Sequence, residues 1–197
     1  VPLLDKVKDK GEIATLDDRM AQLRKLPRAV TPVAIPLEDG LIAADLEDRN
    51  ARVAFDADGS GLQRKWTWIN SRAAWLVHDP KHTGKIDSAL QMFGGVTFWL
   101  FWETGYDAMA ALDDNRDGIL SGQELDGLAL WHDTNTNGLC EPGEVKSVSA
   151  YGIMSLSCKF ERDHNHPDRV AYSRAGATFK NGHTRPTFDL VLHPAKK

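Results

Sequence analysis

The sequence predicts an α+β domain: a helix-loop-helix pair with short strands and a C-terminal β-hairpin around an aromatic core. Three observations carry this expectation. Four Asp/Gly/Asn clusters recur between short apolar runs over residues 52–146, and such internal repetition governs how the intervening segments are read. The segment Tyr106 to Leu112, ahead of the third cluster, is built from good helix formers. Beyond Tyr151, apolar and polar residues alternate, and Asn181-Gly182 stands between two β-prone runs as a hairpin turn.

Along the chain, Leu16, Met20, Leu23 and Leu26 recur at three to four residues, which predicts a helix over Ala14 to Leu26, with Thr15 or Asp17 as its cap. Pro27 to Pro36 reads as an extended connector. Three regions follow: 1–40 as N-terminal helix and connector, 41–160 as the loop-bearing module, and 161–197 as a polar loop and hairpin packing on it. Within the module, strands are expected near Trp66 to Ile69, Trp75 to His78 and Ile153 to Phe160. The hairpin pairs Val170 to Phe179 with Thr184 to Leu192.

Composition narrows the function. The chain has 197 residues, 28 acidic against 24 basic, and a formal charge of −4. Phosphate binding needs clustered Lys and Arg, so nucleic acid is not the expected partner. The longest apolar run, Val96 to Trp102, falls far short of the ~20 residues that span a bilayer, so no membrane span is expected. The chain begins at Val1, which fits a removed signal peptide, a removed tag or a larger parent. Cys140 and Cys158 are too few for a disulfide scaffold and fit one bridge or two free thiols.

The clusters carry the chemistry. Calcium takes six to eight oxygens, and a twelve-residue loop supplies them from positions 1, 3, 5, 7, 9 and 12 when position 6 turns sharply. From Asp113 those positions hold Asp113, Asn115, Asp117, the carbonyl of Ile119, Ser121 and Glu124, with Gly118 at the turn. From Asp133 they hold Asp133, Asn135, Asn137, the carbonyl of Leu139, Glu141 and Glu144, with Gly138 at the turn. Ordinary Asx-rich turns explain the glycines but not the two glutamates at matched spacing. Without a cation each loop gathers mutually repelling carboxylates. The segment Leu125 to His132 must then serve as outgoing helix of one loop and incoming helix of the next.

Two further loops are degraded. Asp56, Asp58 and Ser60 occupy positions 1, 3 and 5 ahead of Gly61, but Thr67 stands at position 12, so any metal site there is partial. The loop from Asp79 keeps Thr83, Gly84 and Asp87 but has Lys81 at position 3. Six tryptophans, Trp66, Trp68, Trp75, Trp99, Trp102 and Trp131, read either as core or as an aromatic platform for a protein or glycan. Phe98, Trp99, Phe101 and Trp102 cannot all face inward from one strand. His164 and His166 read either as transition-metal ligands or as part of a solvated loop.

The order FDADGSG, LVHDPKHTGKID, GYDAMAALDDNRDGILSGQEL, LALWHDTNTNGLCEPGEV and YGIMSL resembles the EF-hand-like calcium modules of large secreted bacterial proteins, including the self-processing modules of RTX-type toxins and adhesins. The resemblance covers roughly half the chain and implies an exported module stabilised by Ca2+. In self-processing members it further implies calcium-triggered cleavage of an Asp-Pro bond at the amino edge. Here the amino edge is Val1-Pro2, and the one Asp-Pro bond, Asp79-Pro80, lies inside the second loop.

The expectation is therefore a non-catalytic calcium-binding module, secreted, periplasmic or at the cell surface, with Ca2+ coupled to folding. Lanthanides favour the same oxygen cage. The alternatives are an autoprotease acting at Asp79-Pro80 and a partner-binding module using exposed aromatics.

Overall fold

The computed structural model describes residues 30–194; the helix expected over Ala14 to Leu26 lies outside them. The chain runs through β1 (Val33–Pro36), a one-turn helix α1 (Ala43–Leu46), β2 (Glu47–Phe55), β3 (Arg64–Ile69), β4 (Ala73–His78), α2 (Gly105–Ala110), β5 (Ile119–Ser121), β6 (Leu128–Trp131), β7 (Val145–Ser147), β8 (Ile153–Ser157), β9 (Glu161–Arg162), β10 (Ala171–Phe179) and β11 (Thr184–Asp189). Nine strands form one antiparallel sheet in the order β5-β8-β10-β11-β1-β4-β6-β7, with β9 paired to β10. The other two, β2 and β3, form a separate antiparallel hairpin.

The centre of the sheet is apolar on both faces, and the period-two rule assigns each side chain. In β4, Trp75 and Val77 join one core cluster while Ala74 and Leu76 join the other; in β6, Ala129 and Trp131 oppose Leu128 and Leu130. On the first face the β2–β3 hairpin lays Val53, Phe55, Trp66 and Trp68 against Trp75 and Trp131. The rings meet edge to face, with centroids 5.3 Å apart for Trp68 and Trp75 and 5.7 Å for Trp68 and Trp131. On the second face Phe93 and α2 residues Tyr106 and Met109 cover the sheet. The Tyr106 hydroxyl donates to the Thr187 carbonyl at 2.7 Å and fixes α2 to β11.

The fold is mainly β, which corrects the α+β, EF-hand-like helix-loop-helix expectation. Among the described residues there are two short α-helices, and no calcium-type loop lies between a pair of them. Helix α2 does precede Asp113, started by a capping box in which Thr104 accepts from the Asp107 N–H and Asp107 accepts from the Thr104 N–H. The expected second helix over Leu125 to His132 is instead a 3-10 turn (Gly122–Leu125), a break at Gly127 and strand β6. Gly127 sits at φ +80°, where a helix cannot continue. Leu128 to Trp131 alternates between two apolar layers, and a four-residue apolar run does not itself separate helix from doubly buried strand.

The extended stretch ahead of Pro36 is likewise a strand of the sheet, β1, held between β11 and β4. Among the described residues no helix is long and apolar enough to cross a membrane.

Candidate functional site

All four Asp-led loops share one backbone conformation. Position 4 lies in the left-handed region in each: Gly59 (φ +67°), His82 (+51°), Arg116 (+60°) and Thr136 (+55°). Position 6 does too, at Gly61 (+77°), Gly84 (+63°), Gly118 (+86°) and Gly138 (+73°). In each, the leading aspartate accepts the N–H of the position-6 glycine: Asp56 from Gly61 at 3.1 Å, Asp79 from Gly84 at 2.7 Å, Asp113 from Gly118 at 2.7 Å and Asp133 from Gly138 at 2.8 Å. Three of these loops are entered from strands β2, β4 and β6, and one from helix α2. The loop is thus the repeated unit, and the flanking elements vary.

The loop Asp113–Glu124 closes on itself through its last residue. Glu124 accepts the Asp114 N–H with Oε1 at 3.0 Å and the Ser121 N–H with Oε2 at 3.0 Å. Asn115 accepts the Asp117 N–H at 2.8 Å, and Asp117 accepts the Ile119 N–H at 2.7 Å. Ile119 and Ser121 are the ends of β5, paired to β8, so their carbonyls are positioned by the main sheet. The loop edge is solvent-exposed, and the Lys159 stem lies across Gly118.

The loop Asp133–Glu144 is the connection of the β6–β7 hairpin and sits deeper. Asp133 is 2% exposed, and its Oδ2 accepts the Trp68 indole N–H at 2.8 Å. Glu144 accepts the Thr134 N–H and hydroxyl at 3.0 Å each, the Glu141 N–H at 3.2 Å and the Trp131 indole N–H at 3.2 Å. Asn137 accepts the Leu139 N–H at 2.7 Å, while Asn135 and Asn137 both donate to Glu141. Burial pushes the Asp133 carboxyl up, against the bonds from Gly138 and Trp68. Burial acts upward on Glu144 as well, but the Thr134, Glu141 and Trp131 donors outweigh it and hold that carboxyl low.

The donor chemistry of both loops suits a hard divalent cation: carboxylate, amide and carbonyl oxygens, with the sharp turn supplied by glycine. Among the described residues no Arg, Lys or His forms an ion pair with Asp113, Asp117, Glu124, Asp133, Glu141 or Glu144. The carboxylates face loop amides rather than one another, and none of their triads has its oxygens within 4.8 Å. The loop from Asp56 differs, because Asp58 is paired with Arg64 at 2.8 Å and Asp56 accepts the Ser88 hydroxyl at 2.7 Å, while Ser60 caps the turn. In the Asp79 loop the carboxylate is spent on Thr83 and Gly84.

The aromatic alternatives divide. Trp66, Trp68, Trp75 and Trp131 are core, whereas Trp99 is 75% and Phe101 73% exposed. His166 is buried and His164 exposed, so the two histidines do not act as a pair. Both cysteines are free. Sequence reasoning missed Trp68 and Trp131 as donors to the loop acids, since nothing local links residues 65 and 13 positions apart.

A family model described as the SPM domain matches residues 37–193. The iron-regulated protein FrpA of Neisseria meningitidis serogroup C is 28% identical over 135 residues, which are 66% of this chain and 12% of that protein. The chain therefore spans about an eighth of the length of that relative.

Proposed function

The chain belongs to the SPM domain family, and on that premise we propose that it is a non-catalytic calcium-binding module of an exported protein, stabilised by Ca2+ in the loops Asp113–Glu124 and Asp133–Glu144. The ligands are Asp113, Asn115, Asp117, the Ile119 carbonyl, Ser121 and Glu124 in one loop. In the other they are Asp133, Asn135, Asn137, the Leu139 carbonyl, Glu141 and Glu144.

The observation that supports this reading is the common backbone of the loops, with left-handed positions 4 and 6 and an aspartate clasping the position-6 amide. In that conformation the side chains at positions 1, 3 and 5 accept amides of the same turn, and position 12 returns to accept the N–H of position 2. Carboxylates held there without a basic partner favour a cation, and its binding free energy becomes folding free energy. Affinities at ~10⁻⁴ to 10⁻³ M, as in extracellular modules, would make the fold follow external calcium.

Calorimetric titration of chelator-stripped protein with Ca2+ tests the reading. Two sites are expected, with one lost in Glu124→Gln and the other in Glu144→Gln. Absence of binding in the unaltered chain would reduce the loops to structural turns.

A second role rests on a separate observation: Trp99, Leu100 and Phe101 present three consecutive exposed apolar side chains. Such a patch suits a protein or glycan partner. Loss of partner capture in Trp99→Ala, with calcium binding intact, would support it.

A further inference from the structure

Away from the calcium-type loops, three distant segments bring Glu47, His166, Asp168 and His193 together around Arg49. Glu47 opens β2, His166 and Asp168 lie in the loop before β10, and His193 follows β11. His193 is pinned to β3, its N–H donating to the Thr67 hydroxyl at 2.9 Å and its carbonyl accepting the Thr67 N–H at 2.9 Å. Ligand atoms of Glu47, His166 and Asp168 lie within 4.8 Å of one another, and no other His/Cys/Asp/Glu group among the described residues is so close. The Glu47 and His166 side chains are 9% and 6% exposed.

One atom of this cluster lacks what buried polar atoms ordinarily have: Glu47 Oε1 is buried without a hydrogen-bond partner, whereas His193 Nε2 is paired with Asp168. Glu47 Oε1 faces His166 Nε2 at 3.5 Å, and His193 Nε2 faces Asp168 Oδ2 at 3.1 Å. Zinc–nitrogen and zinc–oxygen bonds of ~2.0–2.2 Å set the ligand atoms of a tetrahedral site about 3.3–3.6 Å apart. The Glu47–His166 spacing falls in that range.

We propose that Glu47, His166 and Asp168 form a site for a borderline divalent cation of the zinc class, independent of the calcium loops, with His193 outside the ligand group and held by Asp168. Imidazole with carboxylate suits Zn2+ and its neighbours in the transition series, whereas calcium takes oxygen alone. Two features set against binding keep the affinity modest. Arg49 already bridges the carboxylates, at 2.7 Å to Glu47 Oε2 and 2.7 Å to Asp168 Oδ2, so one negative charge of the two remains for the ion. The ring of His166 accepts the Asp168 N–H at Nδ1, 3.3 Å away, and metal at Nε2 moves the ring proton to Nδ1 and breaks that contact.

The test is titration of the full chain with Zn2+ in saturating Ca2+, with Co2+ as spectroscopic probe. The expected result is one Zn2+ site, the strong visible bands of four-coordinate Co2+ and a raised melting temperature. His166→Ala and, separately, Asp168→Asn at the more exposed ligand should each weaken binding by about tenfold or more. His164→Ala, altering the exposed neighbour, should leave it unchanged. No Zn2+ binding by the unaltered chain, or binding lost in His164→Ala and kept in His166→Ala, overturns the proposal. Asp168→Asn with unchanged near-ultraviolet dichroism and unchanged affinity removes Asp168 from the site and overturns the assignment.

Discussion

The indole N–H of Trp68 donates to Oδ2 of Asp133 across 2.8 Å, joining residues 65 positions apart. Trp68 belongs to the hairpin that closes one face of the sheet, and Asp133 is the first ligand position of the second loop. The bond makes that loop part of the aromatic core. Trp68→Phe should lower stability by about 2–4 kcal/mol, combining an orphaned buried acceptor with the void left by a smaller ring. Urea unfolding in chelator measures it, and a loss below ~0.5 kcal/mol would show that Asp133 does not need this donor.

The two closing glutamates should behave differently. Glu144 is buried and takes bonds from Thr134, Glu141 and Trp131. Glu144→Gln turns an NH2 toward some of those donors and should cost about 1–3 kcal/mol even without calcium. Glu124 is less buried and accepts amide bonds on a solvated loop, so Glu124→Gln should change stability in chelator by less than ~1 kcal/mol. Its effect should appear as a smaller rise of melting temperature on adding calcium. Equal losses for both variants in chelator would contradict this division.

How much of this was legible in the sequence follows from how local each feature is. The loop conformation is set within twelve residues, by an Asp at one end and a glycine free to take positive φ five residues on, so its register could be read directly. The hairpin around Asn181-Gly182 is equally local, with Phe179 and Thr184 closing the turn. The flanking elements were not legible. Leu128 to Trp131 becomes a strand because β4 offers a partner edge and both faces meet apolar layers, which are facts about residues 73–78. The cluster at Glu47, His166, Asp168 and His193 was equally hidden, since its members come from three segments that only the sheet brings together.

Glycine at position 6 tests the packing of each loop. A Cβ on Gly138 would lie 2.1 Å from Val53 Cγ1 of β2, whereas on Gly118 it would lie 2.6 Å from Cε of the flexible Lys159. Both substitutions carry the ~1–2 kcal/mol strain of a left-handed alanine. Gly138→Ala should add about 1–3 kcal/mol of overpacking, and Gly118→Ala little more. Thermal unfolding of the pair should rank Gly138→Ala clearly lower, and the reverse order would mean that the second loop is not seated on β2.

The Asp79-Pro80 bond should survive calcium. Asp79 is 5% exposed, and its carboxylate accepts from the Thr83 N–H, the Thr83 hydroxyl and the Gly84 N–H. Those bonds outweigh the upward push of burial and hold it below the ordinary carboxylate value, which disfavours the protonated form. Pro80 is packed against Gly127. A carboxylate so occupied is poorly placed to attack its own peptide carbonyl, so prolonged incubation with calcium should leave one intact band. Fragments ending at Asp79 would show that the loop opens.

Asp189 supplies the pH dependence. It is buried at the end of β11, where its Oδ2 accepts the Gly105 N–H at 3.2 Å. Burial pushes its carboxyl well above the ordinary value, more than the bonds from Gly105 and Thr31 lower it. With the folded-state value raised, the native chain binds the proton more tightly than the unfolded chain. Stability from this group is therefore fully present below the ordinary carboxylate range and is lost as pH rises toward the folded value. Asp189→Asn keeps an acceptor for Gly105 and cannot ionise. The stability of the unaltered chain relative to Asp189→Asn should fall with rising pH across that window, by at most about 1.4 kcal/mol per pH unit, the limit for one proton. Urea unfolding of both chains in calcium from acid to neutral pH measures the difference, and a difference that does not change with pH would show that Asp189 ionises in place as readily as in the unfolded chain.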